Sequence, residues 1–230
     1  MTAPKSLKKR LIVRTVFVMP LVGAVLFLPA GSLKFWQAWV YMLIFLAFSL
    51  YFGIYFLKHD PKLLERRLHV KEEEPEQKIF RKLWVPLWIG ALLLPGLDYR
   101  FGWSPTFLRP VPLWLVVLSQ ALVLCSDILM FEVFRFNSFA SSVIRVESDQ
   151  KVISTGPYRI VRHPMYSAIL GMVVFTPLAL GSYVAVPLSA LLIPLLVFRL
   201  VNEEKFLRRE LPGYAEYCAR TRFRLVPLVF

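Results

Sequence analysis

Residues 111–131 read VPLWLVVLSQALVLCSDILMF, and within this run only Gln120 and Asp127 are strongly polar. A helix needs about 20 apolar residues to cross a hydrocarbon core of about 30 Å, and this run is that long. A carboxylate at such depth is costly, so Asp127 should face other helices or a wet cavity unless it snorkels. It lies within about one turn of the block's cytoplasmic end, and snorkelling is the expectation.

Outward from this run, similar blocks cover roughly 11–30, 36–57, 83–97, 165–181 and 183–201. The 230-residue chain is 57% hydrophobic and 19% charged, with a mean hydropathy of +0.57. Soluble domains run about 45–50% apolar and about 25% charged. Seventeen prolines against ten glycines, in long apolar blocks, argue against an outer-membrane barrel. The apolar content and two cysteines exclude disordered, collagen-like and disulfide-stapled chains. The fold class expected is all-α: a polytopic membrane protein with about six embedded helices.

The formal net charge of +13 raises nucleic acid binding as an option, and its distribution decides against it. Of 28 basic residues, 25 fall in segments 1–14, 58–82, 132–164 and 199–230, leaving only Lys34, Arg100 and Arg109 in the alternate segments. That is the positive-inside pattern, and it puts both termini and the two longest loops in the cytoplasm. Attraction to anionic headgroups follows, at about 1 kcal/mol per basic residue near the surface. KSLKKR at 5–10 resembles the start of a signal peptide, but the apolar run after it is too long. The first block is read as an uncleaved span.

Cys125 sits inside the fourth block and Cys218 in the tail, so no disulfide between them is expected. His59, His69 and His163 are scattered, and no metal site is expected. Phe35, Trp36, Trp39, Tyr41, Trp84 and Trp88 at block ends suggest an interfacial aromatic belt. In the loop 58–82, Leu63, Leu64 and Leu68 share one helical face, which predicts a short amphipathic helix lying on the membrane. Glu72 to Glu74 reads as a solvated face. The chain thus divides into 1–131, four spans with this loop, and 132–230, where polar chemistry concentrates.

The second part carries GPYRIVRHPMY at 156–166. Gly156-Pro157 starts a turn, and Pro164 suits the first turn of a helix, placing Arg162 and His163 at a helix N-terminus. Such an end favours an anionic group, although an arginine–histidine pair is also an ordinary membrane-boundary anchor. Arg199 and Glu203 are four apart and share a face of the last apolar helix, where a surface ion pair contributes only about 0.2–0.5 kcal/mol. Only Gly181-Ser182 separates the fifth and sixth blocks, so a tight hairpin should bring the two polar clusters to one cytoplasmic mouth.

Gly-Pro-Tyr-x-x-x-Arg-His-Pro-x-Tyr at 156–166, Arg-x-x-x-Glu-Glu at 199–204 and Tyr-x-x-Tyr at 214–217 resemble the isoprenylcysteine carboxyl methyltransferase family, part of a wider group with the membrane phospholipid N-methyltransferases. The resemblance covers roughly 137–228, and the Asp60-Pro61-x-Leu63-Leu64-x-Arg66-Arg67 loop is similar to bacterial relatives. It implies an integral membrane methyltransferase of bacterial inner-membrane type. S-adenosyl-L-methionine would be the cofactor, with S-adenosyl-L-homocysteine as product, held in a cytoplasmic pocket. Carried over by position, the cofactor shell is Gln150, Lys151, Val152, Ile153, Tyr158, His163, Pro164, Met165, Tyr166 and Glu203. Arg199 takes the place of the residue that meets the substrate carboxylate, and Gln150 stands where eukaryotic members have histidine. The implied partner is a prenylated or lipid-like acceptor arriving from the bilayer. Phospholipid or amine N-methylation, an NADPH-dependent sterol-type membrane reductase and a non-enzymatic transporter are the other readings.

Overall fold

The computed structural model describes residues 5–68, 75–139 and 150–230; among these there are helices and turns and no strand. In chain order the helices are α1 (Lys5–Ala30), α2 (Trp36–His59), α3 (Pro61–Leu68), α4 (Pro75–Phe101), α5 (Leu113–Phe136), α6 (Pro164–Ala179), α7 (Ala185–Ala190), α8 (Leu192–Glu210) and α9 (Tyr214–Arg220). Among the described residues, five stretches are long and apolar enough to cross a membrane: Ser6–Ala30, Trp36–His59, Ile79–Phe101, Leu113–Phe136 and Ala185–Glu210, the last running through α7 and α8. The fifth apolar block becomes α6, a shorter apolar helix of 16 residues. At 1.5 Å per residue it reaches about 24 Å, short of the bilayer core.

Several sequence boundaries shift. Residues 75–82, expected in a loop, are the first turns of α4. Helix α5 runs on to Phe136, so the expected division at 131/132 falls inside it. Asp127 is therefore more than two turns from the helix end and cannot snorkel; it is 5% exposed and lines an internal cavity. Hydropathy falls after Phe131, but the helix continues through Glu132 and Arg135, which pair with each other at 2.9 Å.

The amphipathic segment forms α3, opened by the Asp60 carboxylate accepting the Leu63 amide at 3.1 Å. Its apolar face does not rest on lipid. Leu63 and Leu64 are buried with Leu7, Phe56, Phe131 and Phe134, so α3 docks on the ends of α1, α2 and α5. The Leu68 side chain and Glu72 to Glu74 lie outside the described residues. The aromatic belt is also redistributed: Trp36 and Trp39 are exposed, whereas Phe35 and Tyr41 belong to the packed core, with the Tyr41 hydroxyl 3.2 Å from Thr176 Oγ1. Trp84 and Trp88 stack on each other inside the bundle.

Polar joints hold the bundle where its apolar surfaces alone give little orientation. Gln120 donates to the carbonyls of Gln37 (3.1 Å) and Ala179 (2.9 Å), tying α5 to α2 and to the end of α6. Asp98 accepts hydrogen bonds from the Ser104 amide (2.7 Å), the Ser104 hydroxyl and the Ser182 hydroxyl, fastening the hairpin turn to α4. Helices α5 and α6 approach closely at Gly171, where an added Cβ would come 2.2 Å from Ser126 Oγ. The hairpin turns at Gly181–Ser182 as expected, and α8 returns alongside α6. This is a polytopic helical membrane architecture, and the return of α8 positions the site.

Candidate functional site

A 3₁₀ turn, Gly156–Arg159, leads into α6. Glycine is required at its start: φ is +57°, and a Cβ there would lie 2.5 Å from the Phe136 ring. Arg162 and His163 follow outside any helix, and Pro164 opens α6 with His163 as its N-cap residue. The amides of Arg162 and His163 donate to the carbonyls of Phe223 (2.9 Å) and Arg224 (3.0 Å). The Ser167 hydroxyl donates to the Leu225 carbonyl at 2.6 Å. The C-terminal segment is thus sewn onto the start of α6.

Beside this junction lies a cavity with about 810 Å³ of empty space, counting the part open to solvent. All the residues expected to bind cofactor, Gln150, Lys151, Val152, Ile153, Tyr158, His163, Pro164, Met165, Tyr166 and Glu203, line it, and so does Arg199. Residues more than 40 positions apart meet because α6, the hairpin turn and α8 fold back on one another. The Tyr166 hydroxyl donates to Glu203 Oε2 and accepts from Arg199 Nε at 3.1 Å. The Arg199 guanidinium also lies 4.7 Å from the Phe80 ring centroid, which holds the planar group from its face.

Arg162 lines the cavity but differs from its expected role as part of an anion-favouring helix start. Its Nε donates to Glu204 Oε1 at 2.6 Å and its Nη1 to the carbonyls of Thr221 and Arg222, each at 3.1 Å. Glu204 also receives Arg224 Nε at 2.9 Å and stands 3.4 Å from His163 Nε2. Arg162 and Glu204 are each under 10% exposed. Three of the five Arg162 donors are therefore committed to the chain itself, and the first-turn amides of Met165 and Tyr166 supply anion affinity at this helix start.

Sequence reasoning missed Asn137, Phe139, Leu207 and Leu211 as lining residues, and it gave Tyr214 and Tyr217 no part in the site despite their motif. Asn137 Nδ2 donates to the Tyr158 hydroxyl at 2.8 Å, and the Tyr217 hydroxyl donates to the Tyr158 carbonyl at 2.7 Å. Burial pushes the Tyr158 and Tyr214 hydroxyls up from their ordinary values, and pushes Tyr217 to about 12. All three stay protonated at physiological pH and act as neutral donors and acceptors. The arrangement provides a wall of neutral tyrosines, one carboxylate on α8 and the Arg199 guanidinium a turn away, with Lys151 and Arg162 also on the lining.

These features define a polytopic helical membrane protein with a polar pocket built at the junction of α6, α8 and the C-terminal segment. A family model described as phospholipid methyltransferase matches residues 114–212, from the first turn of α5 to just past α8. That family lies within the group of membrane methyltransferases that also holds the isoprenylcysteine carboxyl methyltransferases. The match points to methyl transfer at the membrane. No curated protein gave a significant match.

Proposed function

We propose that this chain is an S-adenosylmethionine-dependent methyltransferase of the bacterial inner membrane that methylates the carboxylate of a prenylcysteine or similar lipid-like acceptor. The observation that carries the reading is the Tyr166 hydroxyl shared by Glu203 and Arg199 at the wall of the cavity. A carboxylate and a guanidinium held by one phenol are placed to sort two differently charged ligands into adjacent positions. With the termini in the cytoplasm, as the distribution of basic residues favours, this pocket faces the cytosol.

The residues present fit the cofactor. Glu203 would accept from its ammonium group or ribose hydroxyls, and the Met165 and Tyr166 amides would receive its carboxylate. Val152, Ile153, Tyr158, Leu207 and Leu211 supply apolar and aromatic surface for its adenine. When bound, S-adenosylmethionine supplies a methyl group on a positively charged sulfur. An acceptor carboxylate is already ionised at pH 7, so no base is required of the protein. Arg199 would hold that carboxylate by two parallel hydrogen bonds, and Tyr166 and Phe80 would keep the guanidinium from swinging away. Positioning is then the main source of acceleration.

N-methylation of a phospholipid amine is the second reading, and the description of the matching family favours it. One experiment separates the two. Purified protein is given S-adenosylmethionine with a labelled methyl group, a bilayer lipid extract and a prenylcysteine analogue. A carboxyl methyl ester releases labelled methanol in mild alkali, whereas an N-methyl group stays on the lipid. Alkali-stable label on lipid would replace the carboxyl reading by the amine one. Calorimetric binding of NADPH in place of S-adenosylmethionine would overturn both.

A further inference from the structure

Helix α6 is short, and the level of its hairpin end is fixed by its neighbours. A Cβ added to Gly181 would come 3.2 Å from Gln37 Nε2 in the first turn of α2, and the Ser182 hydroxyl donates to Asp98 near the end of α4. Exposed Trp36 and Trp39 mark that level as the membrane interface. From there the 16 residues of α6 reach about 24 Å, so Pro164 stops about 6 Å inside the far edge of a core of about 30 Å. Chain that is sewn onto the start of α6 therefore lies at the depth of the leaflet.

The chain sewn there includes residues 224–230, RLVPLVF. The Ser167 hydroxyl holds the Leu225 carbonyl, and Leu225 is buried with Tyr166, Leu196 and Leu200. Beyond it the backbone closes on itself. The amides of Arg224, Leu225 and Val226 donate to the Phe230 carbonyl, and those of Val229 and Phe230 donate to the Val226 carbonyl. Pro227 has no amide hydrogen to satisfy. A loop so closed is suited to hydrocarbon, where unpaired backbone groups find no water.

Its side chains are apolar and uncovered. Leu228 is 88% exposed and Val229 79%, and Val226, Pro227 and Phe230 are exposed beside them. Leu228 also has a φ of +67°, a left-handed conformation that glycine or asparagine adopts with less strain. A strained leucine left bare calls for an apolar partner outside the chain. Exposed Arg220 and Arg222 stand just before the loop and suit phosphate headgroups.

We propose that residues 226–230 form a wedge inserted into the bilayer leaflet at the pocket end of the bundle, with Leu228 and Val229 among acyl chains and Arg220 and Arg222 at the headgroups. The wedge fills the depth that α6 leaves open. It also keeps the carbonyls of Phe223 and Arg224 against the amides of Arg162 and His163, which line the pocket. This assignment does not depend on the methyl-transfer reading.

The depth of a nitroxide label tests it. A full chain with Cys125→Ser and Cys218→Ala carries one labelled cysteine in place of Leu228, of Val229 or, as the aqueous reference, of exposed Arg209 in the last turn of α8. Vesicles are made of phosphatidylethanolamine and phosphatidylglycerol. Collisions with oxygen, which partitions into lipid, are compared with collisions with a water-soluble nickel chelate. At 228 and 229 the oxygen-to-nickel ratio should exceed that at 209 by about 10-fold or more, the scale of moving one leucine from water to lipid. With the label at 229, Leu228→Asp should bring the ratio close to the reference. Leu228→Gly, which suits the left-handed backbone, should lower it in part. Should the cysteine-free chain melt early, benzoylphenylalanine in place of Leu228 in the otherwise unchanged chain decides, and irradiation in vesicles of radiolabelled phospholipid should give a lipid adduct. A ratio at 228 equal to that at 209, a label shielded from both reagents by protein, undiminished depth in Leu228→Asp and Leu228→Gly, or the absence of a lipid adduct each overturns the proposal.

Discussion

Glu203 and Glu204 are neighbours on α8, yet they belong to two different structures. Successive helix positions point about 100° apart, so one faces the cavity and the other the C-terminal segment. Glu204 is enclosed by Arg162, Arg224 and His163, all contributed by the chain itself. Glu203 touches the Tyr166 hydroxyl and lines the cavity with Arg199 nearby. The first region is a closed knot in which one buried carboxylate is shared by two guanidinium groups. The second is an open face whose groups have capacity for a ligand. The difference teaches that polar clustering at a membrane mouth does not by itself mark a site, because half of this cluster is spent on holding the tail in place.

The comparison breaks most visibly at Glu204. Glu204→Ala leaves Arg162 buried without its partner, a loss on the scale of about 3–5 kcal/mol. The expected outcome is a thermal unfolding midpoint many degrees lower and little folded protein. A variant that unfolds like the parent would mean the knot contributes no stability. Next in size is Arg199→Lys, which keeps the charge and loses the planar fork. Turnover should fall about 10²-fold or more through misplacement of the reacting groups, with cofactor affinity nearly intact. Near-normal turnover would remove Arg199 from the acceptor side and leave it as a packing partner of Phe80 and Tyr166.

Glu203→Ala sharpens the contrast with its neighbour. It should fold normally but bind S-adenosylmethionine about 2–3 kcal/mol more weakly, the scale of a charge-assisted hydrogen bond in a dry site. Calorimetry on this variant and a melting curve on Glu204→Ala should give opposite patterns: affinity lost without stability in one, stability lost first in the other. If both variants melt early and neither changes affinity in the folded fraction, Glu203 belongs to the knot. The smallest effect is expected for Tyr166→Phe. Removing the shared hydroxyl takes away one anchor from each of Glu203 and Arg199, about 0.5–1.5 kcal/mol in each ligand's binding. A change confined to one ligand would show that the phenol serves only that side.

Much of the site was legible in the sequence because its residues come in two short motifs. Tyr158, His163, Pro164, Met165 and Tyr166 follow one turn and one helix start, and Arg199 and Glu203 follow one helical repeat. Gln150 to Ile153 rested on the resemblance alone, and they line the same cavity. What stayed hidden was the division of labour inside those motifs. Arg162 and His163 are adjacent in sequence, and nothing in their spacing tells that the carbonyls of Thr221 and Arg222 take up the donors of the first. The tail itself, Arg222 to Phe230, carried no signal beyond its charges, because much of its docking uses backbone atoms that every residue has, with the Arg224 and Leu225 side chains added to them.

By itself the sequence determined that this chain is a helical membrane protein. Apolar runs of bilayer length leave the backbone no other way to satisfy its hydrogen bonds, and the basic residues bias the orientation of the helices. It also determined that the hairpin must return one polar cluster to the other, since only Gly181-Ser182 separates the two blocks. Tertiary structure alone decided which charges cancel and which remain available. It decided too that α3 docks on the bundle instead of on lipid, and that Arg67 ends over Phe134 at the mouth of an apolar chamber. The physical reason is the same in each case. Hydropathy and helical period are local sums, readable one segment at a time. The pairing of a buried charge depends on which distant donor or carbonyl packing brings within about 3 Å, and that is a property of the assembled chain.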